Sequence, residues 1–216
     1  TDALTIDLAR LYGESTLVIG FEQSPEEHVI KLTRKMIGSN VTCQSWWNEK
    51  NEPRFKENYK FVTNKIQHIN VRETGGRIEN MLSVKGKFSG HEKAEELLRQ
   101  ITHFSHQMNV LVLLIAHPFK MRKDEKTGEY EIPDFYSVKG SSAFFEMSYH
   151  GLTVYRTNGM VLVRVLKVKQ NNLGDAGSDV WFMYEKQSGR YIPCDEEGIE
   201  LSGDHRDKNW LDLIKK

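Results

Sequence analysis

The run from Asn109 to Lys123, NVLVLLIAHPFKMRK, constrains this chain more than any other stretch. Its aliphatic part, Val110 to Ile115, has the length of a strand, and it breaks into His117, Pro118 and a cluster of cations. A short apolar run without polar alternation predicts a strand covered on both faces, as in a parallel sheet flanked by helices. Ligands of open α/β sheets collect at the carboxyl ends of strands. His117 and the basic loop behind it are therefore expected at a working edge.

Around that run, helical and strand periods alternate. Apolar residues from Ala3 to Leu11 predict a helix ended by Tyr12-Gly13. Thr16 to Phe21 predicts a short buried strand. Ser24-Pro25-Glu26-Glu27 reads as a helix start: Ser24 caps, Pro25 suits the first position, and the glutamates complement the helix dipole. That helix is expected to run to Gly38. Further helices are predicted over 55–66 and 91–107, with a short strand over 69–71. The stretch from Val41 to Pro53 gives no clear pattern, and no strand of normal length can be read between Arg72 and Gly90. After a polar loop over 120–133 and a short helix over 141–147, the pattern turns to β over 151–156, 160–169 and 179–184, with a turn at 187–190. The whole predicts an α/β fold with a mainly parallel central sheet and an antiparallel β extension.

At 216 residues the chain is long enough for one full core. Its 30 Lys plus Arg balance 30 Asp plus Glu, so only local clustering can argue for nucleic acid. Cys43 and Cys194 lack metal spacing, and two distant thiols suggest a reducing compartment. No apolar run approaches the roughly 18 residues of a membrane span, and no metal-ligand motif is read. An intracellular protein without a signal peptide is expected, and the opening Thr1-Asp2-Ala3 suggests a fragment or a processed chain.

Several residues could carry chemistry. Glu22 and His117 each end a predicted strand, and a carboxylate near an imidazole could activate water and sense a phosphate. The plainer readings are a helix-entry residue and a strand-end histidine satisfied by backbone. Lys120, Arg122, Lys123 and Lys126 form a basic loop, diluted by Asp124 and Glu125, that could neutralise phosphates or be an ordinary solvated loop. Lys139-Gly140-Ser141 is a small-residue turn that lets backbone N–H groups approach a phosphate. Alternation puts Lys167 and Lys169 on one side of their strand, either for an anionic ligand or to guard a sheet edge.

Together and in this order, VIGFEQSPEE (18–27), LLIAHPFK (113–120), VKGSSAF (138–144), GLTVYR (151–156), LKVK (166–169) and MYEKQSGRY (183–191) resemble the RecA-like P-loop NTPase core of DnaB-type replicative helicases. The similarity is nearest to bacteriophage primase–helicases and the mitochondrial helicase Twinkle. The resemblance implies a helicase motor domain over 1–193, followed by a polar tail over 194–216. It implies ATP and Mg²⁺ as cofactors, single-stranded and forked DNA as partners, a hexameric ring, and a primase domain or partner. It places the chain in a bacterial cytoplasm or a phage-infected cell ahead of a mitochondrion. By the same resemblance Glu22 polarises the attacking water, His117 senses the γ-phosphate, and Lys169 stands at the arginine-finger position with Lys167 beside it. Arg156 and Tyr184 pack around the adenine. Lys120, Arg122 and Lys123 line the DNA channel, followed by Lys139 and Gly140. Lysine lacks the guanidinium fork, which makes Lys169 a weaker finger.

The sequence departs from the family at two places. G-x-x-x-x-G-K-[ST] occurs nowhere in it, and no hydrophobic strand ending in a Walker B aspartate stands between Val71 and His91. Residues absent before Thr1 and near 72–90 would explain both. The alternatives are a RecA-like recombinase or annealing ATPase, and a nucleotide-dead module that binds DNA or assembles.

Overall fold

The computed structural model describes residues 2–20, 23–70, 90–126, 128–138 and 141–201. The chain divides into two compact units, Thr1–Gly76 with Phe182–Lys216, and Arg77–Trp181, a division that falls within one strand. Helices α1 (Asp2–Tyr12), α2 (Pro25–Ile37) and α3 (Asn51–Lys65) and strands β1 (Thr16–Gly20) and β2 (Ile66–Asn70) belong to the first unit, together with the described residues from 182 onward. The two strands pair in parallel, from Thr16 opposite Ile66 to Gly20 opposite Asn70. Ile6, Val29, Leu32, Met36, Val62 and Ile66 make its core. Helix α2 has the predicted ends. Ser24 Oγ accepts from the Glu27 N–H at 3.2 Å, and Gly38, at φ +79°, returns its N–H to the Arg34 carbonyl at 2.9 Å. Helix α3 starts before its predicted bound, and β2 follows it without a loop.

Three cations gather at the carboxyl end of α2. Arg34 Nε donates to the Gln187 carbonyl at 2.7 Å and Lys35 Nζ to that of Gly189. Arg190, only 1% exposed, donates to the Lys35 carbonyl at 2.7 Å and the Met36 carbonyl at 2.9 Å. Positive charge suits a helix carboxyl terminus, where the last carbonyls have no partner within the helix. Burial, ahead of the charges around it, pushes Lys35 down to about 8.

The second unit contains α4 (Gly90–Met108), α5 (Ser141–Met147), β3 (His150–Thr157) and β4 (Met160–Val168). β3 and β4 are antiparallel and joined by Asn158-Gly159, both at positive φ (46° and 80°), as a two-residue hairpin turn requires. Strand β5 (Asp179–Glu185) is the one in which the division falls, and β6 (Arg190–Cys194) belongs to the first unit; the strand order is β3-β4-β5-β6. β6 falls where only a turn and a polar tail were expected, and Pro193 is tolerated in it because it is an edge strand.

One strong expectation is corrected. Residues 110–115 belong to no strand, and their exposures run from 36% at Val112 to 70% at Leu111. Apolar composition drives burial, whereas a strand also needs neighbours for its N–H and C=O groups. The described parallel sheet consists of β1 and β2 alone.

Candidate nucleotide and nucleic-acid site

The basic loop is an ordered hairpin. Lys123 and Tyr130 bridge in antiparallel fashion, the Asp124 N–H donates to the Glu129 carbonyl at 2.8 Å, and the Glu131 N–H donates to the Arg122 carbonyl at 3.1 Å. Gly128, at φ +70°, closes the tip by donating to the Asp124 carbonyl at 2.9 Å. Thr157 Oγ1 and Asn158 Nδ2 hold Glu129 Oε1 at 2.8 and 3.1 Å, and Tyr155 Oη donates to the Tyr130 carbonyl at 2.7 Å. The β3–β4 turn thus anchors the hairpin. Lys120, Arg122 and Lys123 are all exposed on or beside it, and Lys123 Nζ lies 4.9 Å from the Tyr130 ring centroid. The Asp-x-x-x-Gly spacing before Glu129-Tyr130 is the local signal that reading the stretch as loop overlooked.

His117 sits on the exposed extended segment leading into this hairpin, not at a strand end. The segment is pinned nearby, where the Phe119 N–H donates to the Ser137 carbonyl at 2.8 Å. Lys169 and Lys167 come close together, but each rests on an aromatic ring of its own chain. Lys169 Nζ lies 4.1 Å from the Tyr149 centroid, and Lys167 Nζ lies 4.5 Å from that of Phe145, whose carbonyl it also contacts. Burial, followed by the charge of Lys169, lowers the pKa of Lys167. Arg156 is exposed on β3 opposite Val161. Tyr184 on β5 packs against Tyr191, with ring centroids 5.2 Å apart. Glu22, Lys139 and Gly140 lie outside the described residues, as do 71–89 and the tail from 202.

A titratable group not anticipated from sequence lies in the first unit. His28 Nδ1 is 2.7 Å from His68 Nε2, and His28 Nε2 is 3.3 Å from Asp2 Oδ1. Lys31 Nζ stands 2.9 Å from the second oxygen of Asp2. Burial alone would raise the Asp2 carboxyl, but the hydrogen bonds from His28 and Lys31 outweigh it and hold the group well below the usual carboxylate range. Burial, and then the charge of His28, lowers His68. His28 and His68 are 40 residues apart, so no local pattern could reveal them.

Among the described residues no group of three His, Cys, Asp or Glu side chains could hold a metal ion. At the start of α1, a place suited to a phosphate, the Asp2 carboxylate already takes His28 and Lys31.

No family model matches the chain, and no curated protein matches it. Solved structures do. A helicase ATPase domain aligns with 86% of this chain and 76% of its own length, at a TM-score of 0.63 and 10% identity. A DnaB-like replicative helicase, whose structure addresses its interactions with primase, aligns with 84% of this chain at a TM-score of 0.59 and 11% identity. The chain spans about half of that helicase, 51% of its length. At such identities the likeness is one of fold. The α/β fold expected from the sequence is the fold found, although among the described residues parallel pairing is confined to β1 and β2.

Proposed function

We propose that this chain is the motor domain of a DnaB-type replicative helicase, which uses ATP and Mg²⁺ to move along single-stranded DNA and open forked duplex. The observation that carries the reading is the anchored hairpin, presenting Lys120, Arg122 and Lys123 on a fold shared with helicase ATPase domains. Exposed cations on a rigid element suit a phosphate backbone without selecting sequence. In this reading Glu22, His117 and Lys169 serve hydrolysis, Arg156, Tyr184 and Lys167 border the nucleotide, and Lys139 with Gly140 extends the DNA contact. A hexameric ring would bring many copies of the hairpin to one strand, with a primase domain or partner acting alongside it. A phage-infected or bacterial cell is the proposed setting.

The test is ATP hydrolysis and fork unwinding by the full-length protein. Replacing Lys120, Arg122 and Lys123 together by Ala is expected to abolish stimulation of hydrolysis by single-stranded DNA. Undiminished stimulation would remove the hairpin from the DNA path. One observation favours a second reading, a nucleotide-dead DNA-binding module: the phosphate-binding motif is absent from these 216 residues. Such a module would bind single strands yet hydrolyse no ATP.

A further inference from the structure

The hairpin's register divides its charges between two faces. In an antiparallel pair, residues directly opposite share a face and neighbours along a strand alternate. Lys123 and Tyr130 are opposite, so they share one face. Arg122 opposite Glu131 and Asp124 opposite Glu129 then fall on the other. That second face carries one cation against three carboxylates, and its Glu129 is held by Thr157 and Asn158. A phosphate arriving there would meet net negative charge.

The first face is different in kind. The hydrogen bonds flank the Lys123–Tyr130 pair instead of joining it, which is the pairing that brings side chains closest. Lys123 Nζ accordingly lies 4.9 Å from the Tyr130 centroid, and Tyr130 remains 49% exposed. The backbone beneath the ring is fixed, because the Tyr130 carbonyl accepts from Tyr155 Oη at 2.7 Å. Lys123 Nζ lies over one face of the ring, so the exposed remainder of the ring presents a stacking surface with a phosphate ligand within one nucleotide's reach.

We propose that Tyr130 is a base-stacking residue for single-stranded DNA, with Lys123 taking the phosphate of the same strand. The proposal rests on the reading of this hairpin as the DNA-binding element. It adds that the hairpin holds bases as well as backbone. It also makes Lys123, ahead of Arg122, the principal phosphate ligand of the pair.

Fluorescence anisotropy of the full-length protein with an oligodeoxythymidylate, and with an abasic oligomer of equal length, separates the two ideas. Wild type is expected to favour the base-bearing strand. Tyr130→Leu should weaken that strand by about fivefold or more and leave the abasic one unchanged, while Tyr130→Phe keeps the preference. If Tyr130→Leu binds both oligomers as wild type does while the Lys120, Arg122 and Lys123 triple alanine variant loses both, stacking is overturned and the hairpin remains a backbone ligand. If the triple variant binds as wild type does, the hairpin reading fails and the stacking proposal fails with it.

Discussion

A single methyl group at position 151 would collide with the ring of Phe135, because an ideal Cβ built on Gly151 overlaps the ring carbons Cζ and Cε2. Phe135 also packs edge-on against Phe145, with centroids 5.5 Å apart, so it has a neighbour to push against. Gly151→Ala is therefore expected to destabilise the protein by about 2 kcal/mol, in the range of overpacked cores. Phe135→Leu in the same chain should recover part of that loss, and urea denaturation of both single variants and the double variant measures the coupling. The same scale governs acid stability. His68 is lowered in the fold, so between its folded pKa and its unfolded value near 6.5 the unfolded chain binds more protons, and stability falls as pH drops through that window. Asp2 is also lowered, and its contribution, complete above the unfolded carboxylate pKa, is lost as pH falls further toward its folded value. Melting temperatures of wild type and His68→Gln should converge as pH falls below about 6.5; curves that stay parallel would remove His68 from the acid response.

Helix α2 shows which elements a sequence can announce. Ser24, Pro25 and Gly38 act within a turn of the residues they cap, so both ends could be read from neighbouring letters. Its carboxyl-terminal clamp could not, because Arg190 reaches carbonyls more than 150 residues away in the chain. Arg190→Met keeps much of the bulk but leaves the Lys35 and Met36 carbonyls without this donor. It should cost on the order of 2–3 kcal/mol in urea denaturation. A change within about 0.5 kcal/mol, the usual size for surface positions, would mean the clamp is not holding α2. The strands β3 to β5 were legible for a local reason as well, since β-branched and aromatic residues recur between turn residues. The run over 110–115 was legible as apolar and misleading as a strand, because hydrophobicity carries no information about hydrogen-bonding neighbours. β6 was obscured by Pro193 and by a buried arginine, both atypical of strands. At the candidate site, the cations of the hairpin could be picked out by composition. Their division into two faces depends on the Lys123–Tyr130 register and on Glu129 meeting Thr157 and Asn158, and these are contacts that composition does not record.

For the whole molecule, 30 cations balance 30 anions, so the chain has no bulk field to draw DNA toward it. Attraction must come from a few placed cations, repeated if the protein assembles. This turns ring formation into a question of salt dependence. On single strands, log K falls against log salt with a slope of about −0.7 for each phosphate neutralised. Lys120, Arg122 and Lys123 of one subunit could therefore give a slope no steeper than about −2. If several subunits grip the same strand, the slope should be clearly steeper, and mixing in the triple alanine variant should flatten it in proportion to the fraction added. Titrations of the full-length protein across a salt series, at concentrations where its assembly state is fixed by light scattering, provide the measurement. A slope that stays near −2 in the assembled protein would mean that one subunit at a time holds the strand. The charge-neutral chain would then lack the concentrated channel on which the helicase proposal depends.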